Sequence, residues 1–295
     1  MTALIEPAGP RPHKLTLARI AVYALLIATA LLFLAPLYMM VLTSLKSMEE
    51  IRASSMFALP LAPTFDAWVK AWSTACTGLT CNGLRVGFWN SVTILVPSVI
   101  VSIIVGAING YALTFWNPPG GKALFFMLLL GAFIPYAVFI YPLVRILSWL
   151  GLYGTLPAIV LVHTVFGLPT MTILFYNFYG ALPIELFKAA RVDGAGFVRL
   201  FTAIMLPMSL PILVVALILQ VTGIWNDFLL GLVFAGRENL PMTVQLNNIV
   251  NSTQGERAYN VEMAATMLTA LVPLAVYFFS GRWFVRGIAA GAVKG

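Results

Sequence analysis

Charged side chains are scarce in this sequence. Asp, Glu, Lys and Arg make up 9% of its 295 residues, whereas 61% of the residues are hydrophobic and the mean hydropathy is +0.95. A soluble domain carries about 25% charged residues. This scarcity excludes a soluble globular protein and indicates an integral membrane protein whose surface is solvated largely by lipid.

Residues that bind metals or build catalytic groups are also few. The chain has two cysteines, Cys76 and Cys81, and two histidines, His13 and His163. A zinc site takes four ligands, and neither histidine lies near the cysteines in sequence. No Ser-His-Asp grouping is suggested, and the phosphate-binding pattern G-x-x-x-x-G-K-[ST] is absent. The sequence therefore predicts no catalytic residue, no metal site and no cofactor bound by this chain.

The apolar runs are long enough for six membrane-spanning helices, since one span needs about 20 apolar residues. The sequence predicts an all-α polytopic membrane protein with a transmembrane domain at 18–281 and cytoplasmic tails at 1–17 and 282–295. Residues 43–87 and 235–262 are the two sizeable external segments. The predicted spans lie at about 18–42, 89–113, 123–147, 156–178, 204–233 and 263–280.

The net charge of +7 suggests nucleic acid as a partner, but no basic patch interleaved with aromatic residues is present. Lys and Arg collect instead on the cytoplasmic loops of membrane proteins. The segments placed inside contain three acidic residues, Glu6, Glu185 and Asp193. They contain ten of the 17 basic residues: Arg11, Lys14, Arg19, Lys122, Lys188, Arg191, Arg199, Arg282, Arg286 and Lys294. Because the whole excess charge falls on one side, we expect both termini in the cytoplasm and no nucleic-acid partner.

Both cysteines lie in the first external segment, within TACTGLTCNG. An extracytoplasmic compartment is oxidising, which favours a local disulfide between Cys76 and Cys81. Two free thiols are the alternative, and a metal or redox pair is a further one. The sequence favours the disulfide.

A polar stretch at 182–207, LPIELFKAARVDGAGFVRLFTAIMLP, separates two apolar runs. Pro183 suits the first position of a helix, where a missing N–H costs nothing. Glu185 then lies near the positive end of the helix dipole, and Lys188 lies toward the negative end. Gly194 stops the helix, because glycine tolerates the left-handed conformation of a C-cap. This pattern indicates a polar helix held at a membrane face.

The same stretch offers a surface for another protein. Ala189 and Ala190 leave part of one helix face nearly flat, so that a partner can approach closely. The stretch resembles the E-A-A, three residues, G, nine residues, I-x-L-P signature of ABC importer membrane subunits. Six of the seven fixed letters match: Ala189, Ala190, Gly194, Ile204, Leu206 and Pro207. Lys188 departs from the pattern, because it stands where the family usually has Glu.

The resemblance extends over the chain from the first span onward, with WNDF at 225–228, PMTV at 241–244 and RGIAAGAVKG at 286–295. The last third resembles the shorter permease subunit of carbohydrate importers, and the Cys76–Cys81 loop looks like that of glucose/mannose importers. The resemblance implies an ABC importer type I permease fold, a second homologous permease, two ATPase subunits that use ATP and Mg, and an external sugar-binding protein. This chain is then a transport subunit of the inner membrane and not an enzyme.

The resemblance also implies roles for particular residues. The coupling segment 182–203 contacts the ATPase through Glu185, Lys188, Ala189, Ala190, Asp193 and Gly194. The tail contacts the ATPase subunits through Arg286, Gly287, Gly291 and Lys294. The external segment 235–262 faces the binding protein through Asn247, Asn248 and Asn251.

The cluster Trp225-Asn226-Asp227 is a candidate sugar pathway, because flat aromatic faces and carboxylates or amides hold sugars. An interfacial belt is the alternative, since Trp favours the headgroup level. His163 lies in the fourth predicted span and is expected to be a structural, hydrogen-bonded residue. A proton relay would need carboxylate partners at membrane depth. The only carboxylate that the sequence places in a span is Asp227, near an outer end, and this weighs against the alternative function, an ion-coupled secondary transporter or channel.

Overall fold

The computed structural model of the chain describes residues 16–78, 80–251 and 257–292, with side chains described up to residue 281. Within these ranges every regular element is helical. The helices up to the third predicted span are α1 (Leu17–Ser44), α2 (Met48–Ala53), α3 (Asp66–Ser73), α4 (Arg85–Tyr111), α5 (Gly121–Phe133) and α6 (Ile140–Trp149). Those that follow are α7 (Leu156–Gly180), α8 (Ile184–Val192), α9 (Phe197–Leu200), α10 (Leu206–Met208), α11 (Leu210–Trp225), α12 (Leu229–Phe234), α13 (Met242–Val250) and α14 (Tyr259–Ala292).

Four of these helical stretches are long and apolar enough to cross a membrane, and two bent pairs bring the number to six if each pair is one span. The four are Leu17–Ser44, Arg85–Trp116, Leu156–Gly180 and Tyr259–Gly281. The prediction of an all-α membrane protein is confirmed.

The third predicted span, 123–147, is not one straight helix. α5 ends at Phe133, and the helical stretch Tyr136–Trp149 leaves it at an angle of 104°. Ile134 has an extended backbone (ψ 125°). Because the residue before a proline is disfavoured in the helical region, Pro135 forces this break.

The fifth predicted span, 204–233, is also broken. Phe197–Met208 and Leu210–Trp225 meet at 78°, at Ser209 between Pro207 and Pro211. Each proline lacks the N–H that would continue the helical hydrogen bonds. The helix after this bend ends at Trp225, and the short α12 follows it as a separate element.

The core lies where α4 crosses α7, and glycines allow the two helices to approach. A Cβ added to Gly106 would lie 2.4 Å from Cβ of Met171, and one added to Gly110 would lie 2.6 Å from the backbone nitrogen of Tyr176. In lipid, helices gain little from the hydrophobic effect and associate through such close contacts. The α4–α7 pair therefore forms the frame on which the other elements are placed.

The predicted tail at 282–295 does not begin as a separate segment. α14 runs as one helix from Tyr259 to Ala292, past the end of the sixth predicted span. The many glycines near its end lower helix propensity, but the helix started by the apolar span continues through them.

Candidate functional site

The polar helix α8 spans Ile184–Val192, with Glu185 in its first turn and Arg191 in its last turn. Both charges complement the helix dipole. The sequence predicts Pro183 as the first helical residue. In the structure Pro183 is the N-cap, and the helix begins one position later, at Ile184.

α8 ends in a Schellman motif, in which two N–H groups beyond the helix return to its last carbonyls. Ala195 N–H donates to the Ala190 carbonyl at 2.9 Å, and Gly194 N–H donates to the Arg191 carbonyl at 3.1 Å. Gly194 has a φ of +78°. Because only glycine adopts this region without steric cost, the Asp193-Gly194 sequence sets the end of the helix.

The exposed face of α8 differs from the predicted one at a single alanine. Glu185, Lys188, Ala189 and Asp193 are exposed, as is Gly194. Ala190 is only 8% exposed and belongs to the hydrophobic core, so it faces this chain rather than a partner. The expectation that both alanines form a flat docking face is wrong for Ala190, because the helix turn rotates it inward.

Apolar side chains also lie on the exposed face, and sequence reasoning missed them. Val192 is 87% exposed, Ile184 is 48% exposed and Leu186 is 41% exposed. Large exposed apolar groups beside charged ones are typical of a protein–protein contact. Val192 lies between the motif letters Ala190 and Gly194, and Ile184 and Leu186 lie just before the motif, so their place in the sequence is the signal that could have identified them.

A second feature is a cavity of about 320 Å³ between α7 and α11. Its polar lining is made of His163, Thr170, Gln220 and Asp227. His163 Nε2 lies 3.8 Å from Oδ2 of Asp227, and both side chains are largely buried. Asp227, the carboxylate that the sequence places in a span, therefore reaches His163 from a distant part of the chain.

Ser102 and Gly231 hold two of the polar side chains that line this cavity. Gln220 donates from Nε2 to the Ser102 hydroxyl at 2.6 Å. Asp227 Oδ2 accepts from the Gly231 N–H at 2.9 Å at the start of α12. Each side chain is thus held in place by a neighbouring helix.

The predicted cluster Trp225-Asn226-Asp227 is divided by the structure. Trp225 is 2% exposed and donates from Nε1 to the Thr269 carbonyl at 2.9 Å, so its ring is a core group. Asn226 is exposed. Of the three, only Asp227 lines the cavity.

In the loop between α3 and α4, Cys76 and Cys81 form a disulfide with a Sγ–Sγ distance of 1.97 Å. Asn248 of α13 donates from Nδ2 to the Thr77 carbonyl at 3.0 Å, inside the disulfide-closed ring. Asn247 and Asn251 are exposed. The structure therefore joins the disulfide loop and α13 into one surface.

The predicted tail residues Arg286, Gly287 and Gly291 lie on the backbone of α14, while Lys294 lies outside the described residues. Among the described residues, no three His, Cys, Asp or Glu side chains are grouped in a way that could hold a metal ion. The described residues thus show two features for function at the membrane, the α8 surface and the α7–α11 cavity.

Comparison with known proteins gives one family. Residues 88–291 match the model of the "Binding-protein-dependent transport system inner membrane component". The chain is 37% identical to the osmoprotective compounds uptake permease protein GgtD of Synechocystis sp., over 73% of this chain and 72% of that protein. It is 35% identical to the alpha-glucoside transport system permease protein AglG of Rhizobium meliloti, over 84% and 66%, and 29% identical to the glucose import system permease protein GlcU of Saccharolobus solfataricus, over 92% and 95%.

The fold is also that of a solved transporter. A chain from a bacterial ABC transporter for the acidic polysaccharide alginate superposes with a TM-score of 0.74 at 20% identity, over 90% of this chain and 95% of that one. The permease fold expected from the sequence is confirmed.

Proposed function

Since this chain belongs to the family of binding-protein-dependent transport system inner membrane components, we propose that it forms half of the membrane pathway of an ABC importer for a neutral sugar. The chain is a transport subunit and not an enzyme. The other half of the pathway is a second, homologous permease. Two separate ATPase subunits bind ATP and Mg, and an external binding protein delivers the sugar.

The single observation that carries this proposal is the α8 surface. α8 is short, dipole-matched and ended by a Schellman motif at Gly194. It presents Glu185, Lys188 and the 87%-exposed Val192 outward. Such a rigid mixed surface suits a coupling helix that docks on an ATPase.

The position of the two surfaces along α4 supports the assembly. The external segment meets α4 near Gly87, and α8 meets the other end of the helical stretch near Phe115. At 1.5 Å per residue these points lie about 40 Å apart, the thickness of a bilayer with its headgroups. We infer that α8 and both termini face the cytoplasm, where Arg286, Gly287, Gly291 and Lys294 contact the ATPase subunits.

The α13 surface then faces outward toward the binding protein. Asn247 and Asn251 are exposed there, and Asn248 fixes the disulfide loop beside them. Amide side chains make neutral hydrogen bonds without a charged rim, and this suits a transient delivery complex.

A sugar is the cargo that agrees with the cavity and with the relatives. Carboxylate, imidazole and amide groups hydrogen-bond hydroxyls, and about 320 Å³ accommodates a sugar ring. AglG and GlcU carry alpha-glucoside and glucose in their names, whereas GgtD carries osmoprotective compounds. We propose Asp227 as the cargo-contacting residue of this chain, and a glucose-type sugar as the first cargo to test.

The proposal is tested by uptake in the native host. Cells with and without the gene are given labelled glucose, mannose, maltose, xylose and an osmoprotective compound. Loss of uptake of one sugar, with inhibition by ATP depletion and resistance to a protonophore, is expected. Uptake abolished by the protonophore but preserved without ATP would favour an ion-coupled transporter and refute the proposal. Loss of uptake of the osmoprotective compound alone would replace the simple sugar as the cargo.

A further inference from the structure

We propose that a joint between the end of α4 and α8, made by Phe115, Trp116, Phe187 and Arg191, transmits movements of α8 along α4 to the external segment at α13. These four residues form the Trp116 joint. The inference rests on the proposed function, and none of its positioning residues is a fixed letter of the family pattern.

The joint is built from ring contacts on both sides of Phe187. The Phe187 ring stacks on Phe115 with centroids 4.9 Å apart and an interplanar angle of 12°. It also meets the edge of Trp116 at 5.8 Å and 90°. The Arg191 guanidinium carbon lies 4.6 Å from the centroid of Trp116, within the range of a cation–π contact. Two turns of α8 are thus attached to two neighbouring residues of one helix end.

A π-helical segment makes this double contact possible. Ala112–Trp116 continues α4 as a π-helix and ends at Asn117, whose φ is +40°. In a regular α-helix adjacent side chains do not face the same neighbour. Here Phe115 and Trp116 both meet Phe187. Such π-helical turns occur frequently at functional sites.

A second contact ties the segment after α8 to the same helix. The Tyr111 hydroxyl donates to the Phe197 carbonyl at 3.2 Å, and the two rings are 4.8 Å apart. Trp116 also lies 5.3 Å from the Phe197 ring. A displacement of α8 or of the turn that follows it therefore displaces the end of α4.

The other end of α4 is held just as closely by the external segment. Gly87 N–H donates to Gln245 Oε1 at 2.9 Å, and Ser91 accepts from the Met242 N–H at 2.8 Å. Asn90 donates to the carbonyls of Glu238 and Leu240 at 2.9 and 3.1 Å. A Cβ on Gly87 would lie 2.5 Å from Gln245 Oε1, so the two elements are closely packed at this contact.

Between the two ends the helical stretch Arg85–Trp116 is continuous and passes through Pro97 as one span, whereas the third and fifth spans are each bent. A continuous helix with a fixed contact at each end moves as a unit, and bent helix pairs absorb displacement at the bend. α4 is therefore the direct mechanical route from the ATPase-facing helix to the surface that meets the binding protein.

The test uses the assembled transporter in lipid vesicles. Cysteines replace the exposed residues Asn247 and Trp149, and both receive spin labels, while the native cysteine pair stays bridged and unlabelled. The distance between the labels is measured without nucleotide and with ATP, Mg²⁺ and vanadate. In this background the nucleotide should shift the distance distribution. Trp116→Ala and Arg191→Ala should lower the shifted fraction about fivefold or more, a typical coupling effect.

Conservative and matched variants separate coupling from structure. Trp116→Phe and Arg191→Lys keep a ring and a cation, so they should restore most of the shift. Arg199→Ala, at an exposed cation of the neighbouring α9, should leave it unchanged. Vanadate-sensitive ATP hydrolysis is measured in parallel and should persist in every variant.

The outcomes distinguish the two proposals. A full shift in both Trp116→Ala and Arg191→Ala overturns the joint while leaving the importer function in place. If the doubly labelled protein with an unmodified joint shows no nucleotide-dependent shift in the label distance, the proposed function is overturned and the joint with it. If the Trp116→Ala transporter fails to assemble, the Arg191→Ala result tests the joint by itself. Arg191 lies on the exposed surface, so its replacement does not disturb the core.

Discussion

Asn248 donates a hydrogen bond from its side-chain amide to the carbonyl of Thr77, 171 residues away in the sequence, at a distance of 3.0 Å. The Thr77 carbonyl lies within the ring that Cys76 and Cys81 close. One hydrogen bond therefore fixes the disulfide loop to the helix that we propose to face the binding protein. Because the disulfide stiffens the loop, the hydrogen bond to Thr77 also holds α13 in position.

Replacing both Cys76 and Cys81 by Ser should loosen this external surface. A disulfide that closes so short a loop stabilises by about 2 kcal/mol, at the low end of the usual range. We expect a lower melting temperature of the purified protein and weaker stimulation of ATP hydrolysis by the binding protein. Asn248→Ala should give a smaller effect of about 1 kcal/mol, since it removes one hydrogen bond. Alkylation of both native cysteines without reductant would contradict the bridge.

Two substitutions of Gly194 should distinguish the cost of backbone strain from the loss of contact with the ATPase. A Cβ at Gly194 would meet no described atom within 4 Å, so Gly194→Ala costs only the left-handed conformation, about 1 kcal/mol. Gly194→Trp adds a bulky ring at the proposed ATPase surface and should abolish coupled uptake while the spans still assemble. Gly196→Ala is the matched control, because Gly196 is extended (φ −78°, ψ 178°) and accepts any residue. Wild-type uptake by Gly194→Trp would remove α8 as the coupling helix.

Asp227→Asn should weaken cargo transport without unfolding the cavity. The amide keeps an oxygen for the Gly231 N–H but loses the charge that faces His163. A hydrogen bond to a charged group contributes about 1.5 kcal/mol or more, so the KM of uptake should rise roughly tenfold. Asn226→Ala, at the exposed neighbour, should leave KM unchanged. Equal KM values for Asp227→Asn and the unmodified protein would exclude Asp227 from the pathway.

The membrane orientation predicts opposite labelling of two exposed positions. A cysteine at Asp66 should react with an impermeant maleimide in intact cells, because α3 lies on the external side with the disulfide loop. A cysteine at Lys122, in the first turn of α5, should react only after lysis. Both positions are exposed in the structure, so burial does not interfere. The reverse pattern would invert the topology.

Deleting residues 287–295 should impair coupling more than assembly. The deletion removes the last turns of α14 but leaves its apolar span, Tyr259–Gly281, intact. Membrane insertion and co-purification of the second permease should persist, while uptake per ATP hydrolysed should fall severalfold, as expected for a lost coupling contact. Truncation of the first nine residues provides a control of equal length. Unchanged uptake after the C-terminal deletion would argue against the tail contact.

Local chemistry made several features predictable from the sequence. The apolar runs, the basic excess and the end of α8 each depend on neighbouring residues only. Gly194 takes a φ of +78° because the residues on both sides already end a helix there. The motif around Gly194 could be identified from the sequence because it also depends on neighbouring residues only.

Tertiary structure decided which side chains meet. In lipid, the lipid-facing and core-facing sides of a helix are both apolar, so the sequence of a span carries little information about its rotation. His163 and Asp227 therefore could not be paired in advance, and the inward turn of Ala190 and the core position of Trp225 were not visible. The sequence by itself determined that the chain spans the membrane and carries a polar helix that ends before Gly194. The bends at Pro135 and Ser209 and the rotation of each helix decided where the cavity and the Trp116 joint lie, because those depend on contacts between residues far apart in the chain.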